Sequence, residues 1–201
     1  MQSLDVVNMM LGTQGENPLA SLEDTHPMLA TCLEVLDRNM RRIEADGWWY
    51  NMEELSLIPN PADSSIYLPN DTLEVRTGKY NVIARGNRVY NLTGGTYVFT
   101  VPKLDVILIR LVAFEDLPEI AAQYIGTCAV VEYQMEYDGD STKTRQLMAM
   151  MTKQEIDMNS AHTRNRKVNL IVSNARLQRL KFFTRAARMG IAGQGVPTQD
   201  F

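Results

Sequence analysis

The sequence is short of the residues from which most catalytic and metal sites are built. Histidine occurs twice, at His26 and His162, and neither has a Cys, Asp or Glu set at ligand spacing. A surface or capping role is expected for both. Cysteine also occurs twice, at Cys32 and Cys128, with no CxxC pair. Two such thiols on predicted helices read as buried, reduced side chains, with a disulfide as the lesser alternative. No apolar run reaches the ~20 residues that span a bilayer, so no direct membrane insertion is expected. Met1–Asp5 has no basic region ahead of an apolar stretch, as a signal peptide would. Gly86-Asn87 and Gly94-Gly95 lack a Walker lysine and the dinucleotide fingerprint, and read as turns. The carboxylates Glu53-Glu54 and Glu115-Asp116 are adjacent. Neighbours on a strand face opposite ways, which makes a poor acid–base pair. No catalytic, cofactor-binding or metal-binding residue is assigned, and no cofactor is expected.

What is present is enough apolar material for a core: 45% of 201 residues. That length suits one domain, or one domain with a large insertion. The formal net charge of −4 hides an asymmetry. Residues 1–157 hold 12 Lys and Arg against 23 Asp and Glu, a net −11. Residues 158–201 hold 8 Lys and Arg against Asp200 alone, a net +7. An acidic body with a basic arm points to an acidic partner surface or to nucleic acid.

The apolar pattern changes period at one stretch, Arg41 to Glu54. Before it, Leu29, Leu33, Leu36, Met40 and Ile43 form a helical stripe, with Arg38, Arg41, Arg42 and Glu44 off it as solvated or interfacial groups. After it, apolar residues alternate as in strands. Gly47 sits at the change, where a left-handed residue can close the helix. Trp48 and Trp49, the two tryptophans of the chain, would then start a strand running to Ile58. On opposite faces, one would plug the helical layer and the other the sheet or a neighbouring subunit. Gly47, Trp48 and Trp49 are therefore the expected domain junction.

A first helix is expected from a cap at Ser3, with Val6, Val7, Met10 and Leu11 on its apolar face. A second should begin at Thr25 or His26, with Pro27 in its first turn. Short strands are expected at Ser65–Leu68, Leu73–Arg76 and Tyr97–Val101. Tyr80–Arg85 and Arg88–Leu92 around Gly86-Asn87 make the clearest hairpin. Leu104–Val112 should be the best buried strand. A helix opens at Pro118 with Ile120, Ala121, Tyr124, Ile125, Cys128, Val131 and Met135 inward. Another begins near Ser141 and runs towards Asn169 or Asn174. The fold class is α+β: a helical bundle formed by the N- and C-terminal halves (1–47 and 114–175), an inserted, mainly antiparallel β domain (48–113), and an extended basic C-terminal arm (176–201). The arm's Arg176, Arg179, Lys181, Arg185 and Arg188 are interrupted by Leu177, Leu180, Phe182 and Phe183. Cations with regularly spaced Leu and Phe suit docking on an acidic protein groove, whereas isolated cations would suit phosphates. Until docked, the arm is expected to be disordered.

In order and spacing, about residues 4–135 resemble the tail tubular protein A family, head-to-tail adaptors of short-tailed bacteriophages. The resemblance rests on Gly15-Glu16-Asn17-Pro18-Leu19-Ala20-Ser21-Leu22-Glu23, on Gly47-Trp48-Trp49-Tyr50-Asn51-Met52-Glu53, on Ile58-Pro59, on Ile66-Tyr67-Leu68-Pro69, and on Glu115-Asp116-Leu117-Pro118-Glu119. Of these, the Gly-Trp element is the most specific. The final third matches less well. The resemblance implies a non-enzymatic virion protein in the tail, present in the host cytoplasm before assembly. Family members form a homo-oligomeric ring, a dodecamer, between the portal protein and a hexameric tail nozzle (tail tubular protein B), with double-stranded DNA passing through the channel. The arm (Arg176, Arg179, Lys181, Phe182, Phe183, Arg185, Arg188) is then expected to bind the portal. The hairpin (Tyr80, Arg85, Gly86, Asn87, Arg88, Tyr90) is expected to meet the nozzle or a neighbour. The rival readings are a tail-associated polysaccharide hydrolase and a nucleic-acid-binding module that uses the arm.

Overall fold

Helix α1 (Ser3–Thr13) opens with the Gln2 amide donating to Asp5 Oδ2 at 2.7 Å. The cap is therefore Gln2 rather than Ser3. Ser3 is buried, and its hydroxyl donates to Glu115 Oε1 at 2.5 Å. Helix α2 (Leu29–Glu44) starts later than expected. Pro27 lies just ahead of it, and the His26 Nδ1 accepts the Met28 amide at 3.2 Å, so the histidine serves the entry turn. Helices α3 (Glu119–Tyr137) and α4 (Ser141–Asn165) follow the strands. The computed structural model describes residues 1–78 and 80–166, of which Met1–His162 form one compact unit.

The strands are β1 (Met52–Leu57), β2 (Thr72–Arg76), β3 (Val82–Arg85), β4 (Arg88–Asn91) and β5 (Leu104–Arg110). They make two antiparallel sheets, one ordered β1-β5-β2 and one β3-β4. The chain is thus α+β, with four α-helices among the described residues. β5 is central, as its nearly unbroken apolar run requires. Met52 pairs with Ile109 on one side of it, and Val75 with Leu108 on the other. The expected strands at Ser65–Leu68 and Tyr97–Val101 reduce to isolated bridges, Ser65 to Val98 and Tyr67 to Arg88. Prolines at 59, 61, 69 and 102 withhold the amides a ladder would need. The hairpin forms as expected, with Arg85 opposite Arg88 across Gly86-Asn87. Gly86 has φ +60° and Asn87 is not left-handed, the pattern of a two-residue turn with glycine first.

Two clusters of buried residues result. The first joins Val6, Val7, Met10 and Leu11 of α1 to Cys32, Val35, Leu36 and Ile43 of α2, and to Ala121, Ile125, Cys128, Ala129 and Tyr133 of α3. Both cysteines are free and buried. α3 is buried on more than the single stripe expected. α1 comes so close that a Cβ on Gly126 would stand 2.9 Å from Val6 Cγ2. Met135, expected inward, is 55% exposed. The second cluster gathers Ile66, Leu68, Val75, Val89, Phe99, Leu104, Val106 and Leu108. α4 is long but buries only Met158 and Ala161 fully. No helix among the described residues is long and apolar enough to cross a membrane.

Candidate functional site

Glu44 is the last residue of α2, and Gly47 follows with φ +81°. A Cβ there would meet Ile109 Cδ1 at 2.7 Å. Both the turn and the packing on β5 therefore require glycine. Residues 48–51 form a turn, not the start of a strand, and β1 begins at Met52. Asn51 organises that turn. Its Oδ1 accepts the Trp48 amide at 2.7 Å, and its Nδ2 donates to the Glu44 and Arg110 carbonyls, each at 2.9 Å. One buried amide side chain thus ties the end of α2 to the end of β5. Because the segment turns, the two indoles do not divide between helices and sheet. Trp48 is buried in the helical cluster, with Nε1 donating to the Ile43 carbonyl at 2.7 Å. Trp49 packs at the edge of the same cluster. His162 stands edge-on to Trp48, with ring centroids 5.3 Å apart. It is an aromatic neighbour rather than a surface or capping residue.

Glu44 overturns the expectation of a solvated or interfacial side chain. It is fully buried, and its Oε2 accepts the Val112 amide at 2.7 Å. Burial raises its carboxyl from the usual 4.5 to about 7, against the Val112 hydrogen bond, which lowers it. Burial followed by the nearby Glu44 charge also raises the Tyr50 phenol. Between pH 4.5 and about 7 the folded chain holds a proton that the unfolded chain has released. Glu44's stabilising contribution is therefore complete at pH 4.5 and falls as pH rises to about 7. Glu44→Gln is expected to raise stability near pH 8 by on the order of 2 kcal/mol. Near pH 4.5 it should change little. Urea denaturation of both proteins across this range is the check, and parallel pH profiles would contradict the assignment.

At the hairpin, cations and aromatic rings alternate. The Arg85 guanidinium carbon lies 3.9 Å from the Tyr90 ring centroid, and that of Arg88 lies 4.3 Å from the Tyr97 centroid. The two tyrosine rings meet at 4.8 Å and 66°. Each such contact contributes ~0.5–1 kcal/mol at an exposed site. Their larger effect is to hold two charges in fixed positions. Gly86, Asn87 and Arg85 are exposed, while Tyr80 is half-buried against the second cluster.

In each pair of adjacent carboxylates one member is engaged. Glu53 pairs with Arg110 at 3.0 Å, and Arg110 also holds Asp71. Glu115 accepts the Ser3 hydroxyl, which lowers its pKa. Among the described residues no group of three His, Cys, Asp or Glu side chains could hold a metal ion. The structure brings Gly47, Trp48 and Trp49 together between α2 and β1, and Arg85, Arg88 and Tyr90 at the hairpin. Arg176, Arg179, Lys181, Phe182, Phe183, Arg185 and Arg188 lie outside the described residues. Glu44 and Arg110 were missed as junction residues. Asn51 carried a signal, since it falls within the Gly-Trp-Trp-Tyr-Asn element.

The sequence model of the family described as Tail tubular protein (Tube) matches residues 4–170. The match extends past residue 135 and takes in α4. The chain is also 31% identical over 147 residues to the tail tubular protein A of Klebsiella phage KP34, an alignment covering 70% of this chain and 76% of that protein. Both matches place the chain in the tail tubular protein family, the structural proteins of the phage tail.

Proposed function

We propose that this chain is a head-to-tail adaptor: a ring subunit, twelve to a ring, that joins the portal to the tail nozzle and lines the channel through which DNA leaves. The observation that carries this reading is the family match over residues 4–170. Charge supports it. The net −11 of residues 1–157 suits a channel wall to which DNA does not adhere. The proposed organisation has segments 1–47 and 114–175 as one helical bundle with the β domain 48–113 inserted. The arm from residue 176 engages the portal, and the hairpin meets the nozzle or a neighbouring subunit.

Deleting residues 80–92 is expected to leave the helical content and portal binding intact and to weaken nozzle attachment. Circular dichroism checks the first point, and co-sedimentation with purified portal and purified nozzle checks the second. Loss of portal binding with normal nozzle binding would reverse the two assignments.

A further inference from the structure

The sheet ends in an edge without a partner. β1 pairs with β5 on one side, and among the described residues no strand covers its other side. An exposed strand edge invites pairing unless it is covered or charged. The edge is marked by Glu54, which forms no ion pair among the described residues. It also carries Leu55, 39% exposed, and Ile58, 74% exposed. Glu54, Leu55 and Ser56 of β1 and their partners Ile107, Val106 and Asp105 of β5 line a groove of about 360 Å³ across the paired strands beside that edge. Asp105 is already held by the Ser56 hydroxyl and by Lys103, so Glu54 is the uncommitted charge.

The opposite flank carries the complementary chemistry. β2 is the other outer strand of this sheet, and the β3–β4 hairpin packs beside it. Arg85 and Arg88 form no ion pair among the described residues. Their guanidinium groups are fixed on Tyr90 and Tyr97, so little side-chain freedom remains to be lost on binding. Ile83 is 43% exposed on the same hairpin.

We propose that these two flanks meet between copies of this chain: the Arg85–Arg88 hairpin of one subunit docks on the β1–β5 groove of the next, placing the guanidinium groups on Glu54 and Ile83 against Ile107, which pairs with Glu54 and shares its face. The proposal rests on the ring reading above and supplies its subunit contact. The patches differ, and they lie on opposite flanks of one subunit. They therefore cannot mate two-fold and must join head to tail, as a closed ring requires. Charge complementarity sets the register, while the aromatic and aliphatic groups provide the buried contact.

The test uses virions assembled with variant subunits. In one variant Arg85→Glu and Arg88→Glu reverse the hairpin; in the other Glu54→Lys reverses the groove. Each alone should lower incorporation into tails by about tenfold, the effect of ~1.4 kcal/mol per contact. Co-expressed, they should recover incorporation by alternating, because each reversed hairpin then meets a reversed groove. A third protein with Asn87→Cys and Ser56→Cys should yield a ladder of disulfide-linked multimers of this chain under mild oxidation. Either cysteine alone should not, because Cys32 and Cys128 are buried. If wild-type subunits form a ring but both charge variants incorporate normally, or the new cysteines link to a different protein, the interface is elsewhere and the ring stands. If wild-type tails hold no ring of this chain, both fail.

Discussion

Replacing Trp48 with alanine is expected to destabilise the subunit by about 3–5 kcal/mol, which is ~10 °C in melting temperature for a chain of this size. Three losses add. The indole is only 9% exposed in the helical cluster, so its removal leaves a cavity there. The Ile43 carbonyl loses the Nε1 donor at 2.7 Å and keeps only the Asp46 amide at 3.3 Å, and a lost hydrogen bond of this kind costs about 0.5–1.5 kcal/mol. His162 loses its edge contact. Trp49→Ala should cost less than half as much, because that ring packs only at the cluster's edge. Since a domain is stable by only ~5–15 kcal/mol, the first variant should accumulate poorly at 37 °C and the second should not. Thermal melts of both proteins are the check. Equal melting temperatures for both variants and the wild type would mean that the indoles do not hold the helical cluster together.

Ending the chain after Ser173 is expected to leave a folded subunit that no longer joins the portal. Among the residues removed are Arg176, Arg179, Lys181, Arg185 and Arg188, together with Phe182 and Phe183. Fixing a segment on a partner costs roughly 1–2 kcal/mol of backbone entropy per residue. Exposed ion pairs return ~0–1 kcal/mol each, so arginines alone cannot offset the ordering. The two phenylalanines must supply the larger share, as buried aromatic anchors do at other interfaces. Phe182→Ser with Phe183→Ser should therefore abolish most portal binding, and removal of two arginines should weaken it less and in a salt-dependent way. In a ring, one seated arm holds its neighbours near their sites, which multiplies a small surplus per subunit. Portal co-sedimentation of the truncated protein is the check. Normal assembly of the truncated chain would place the attachment elsewhere.

Much of the α+β character was legible because it follows from period alone. The stripe of α2, the β5 run and the Gly86-Asn87 turn need only local rules. The junction was legible as a place but not as a geometry. Gly47 could be read because a positive φ leaves a residue-type signature. The turn of residues 48–51 could not, because Asn51 makes it by bonding to a carbonyl 59 residues away. Glu44 was misread for a related reason. Its charge placed it on the solvent side of a helical wheel, yet β5 emerges over that position and the Val112 amide needs an acceptor. The strands flanked by prolines were overcalled because β-prone side chains do not reveal a missing ladder amide. At the hairpin, composition indicated cations and tyrosines, but only the fold shows Tyr97 completing the stack from outside it.

The ring proposed between portal and nozzle can be observed directly. The most direct measurement is cryo-electron microscopy of the intact virion tail at a resolution that traces side chains. The expected result is a closed ring of this chain around the channel, with the hairpin of each subunit on β1 of the next and the chain beyond Ser173 on the portal. A tail in which this chain sits apart from the channel, or as isolated copies on the outer surface, would contradict it.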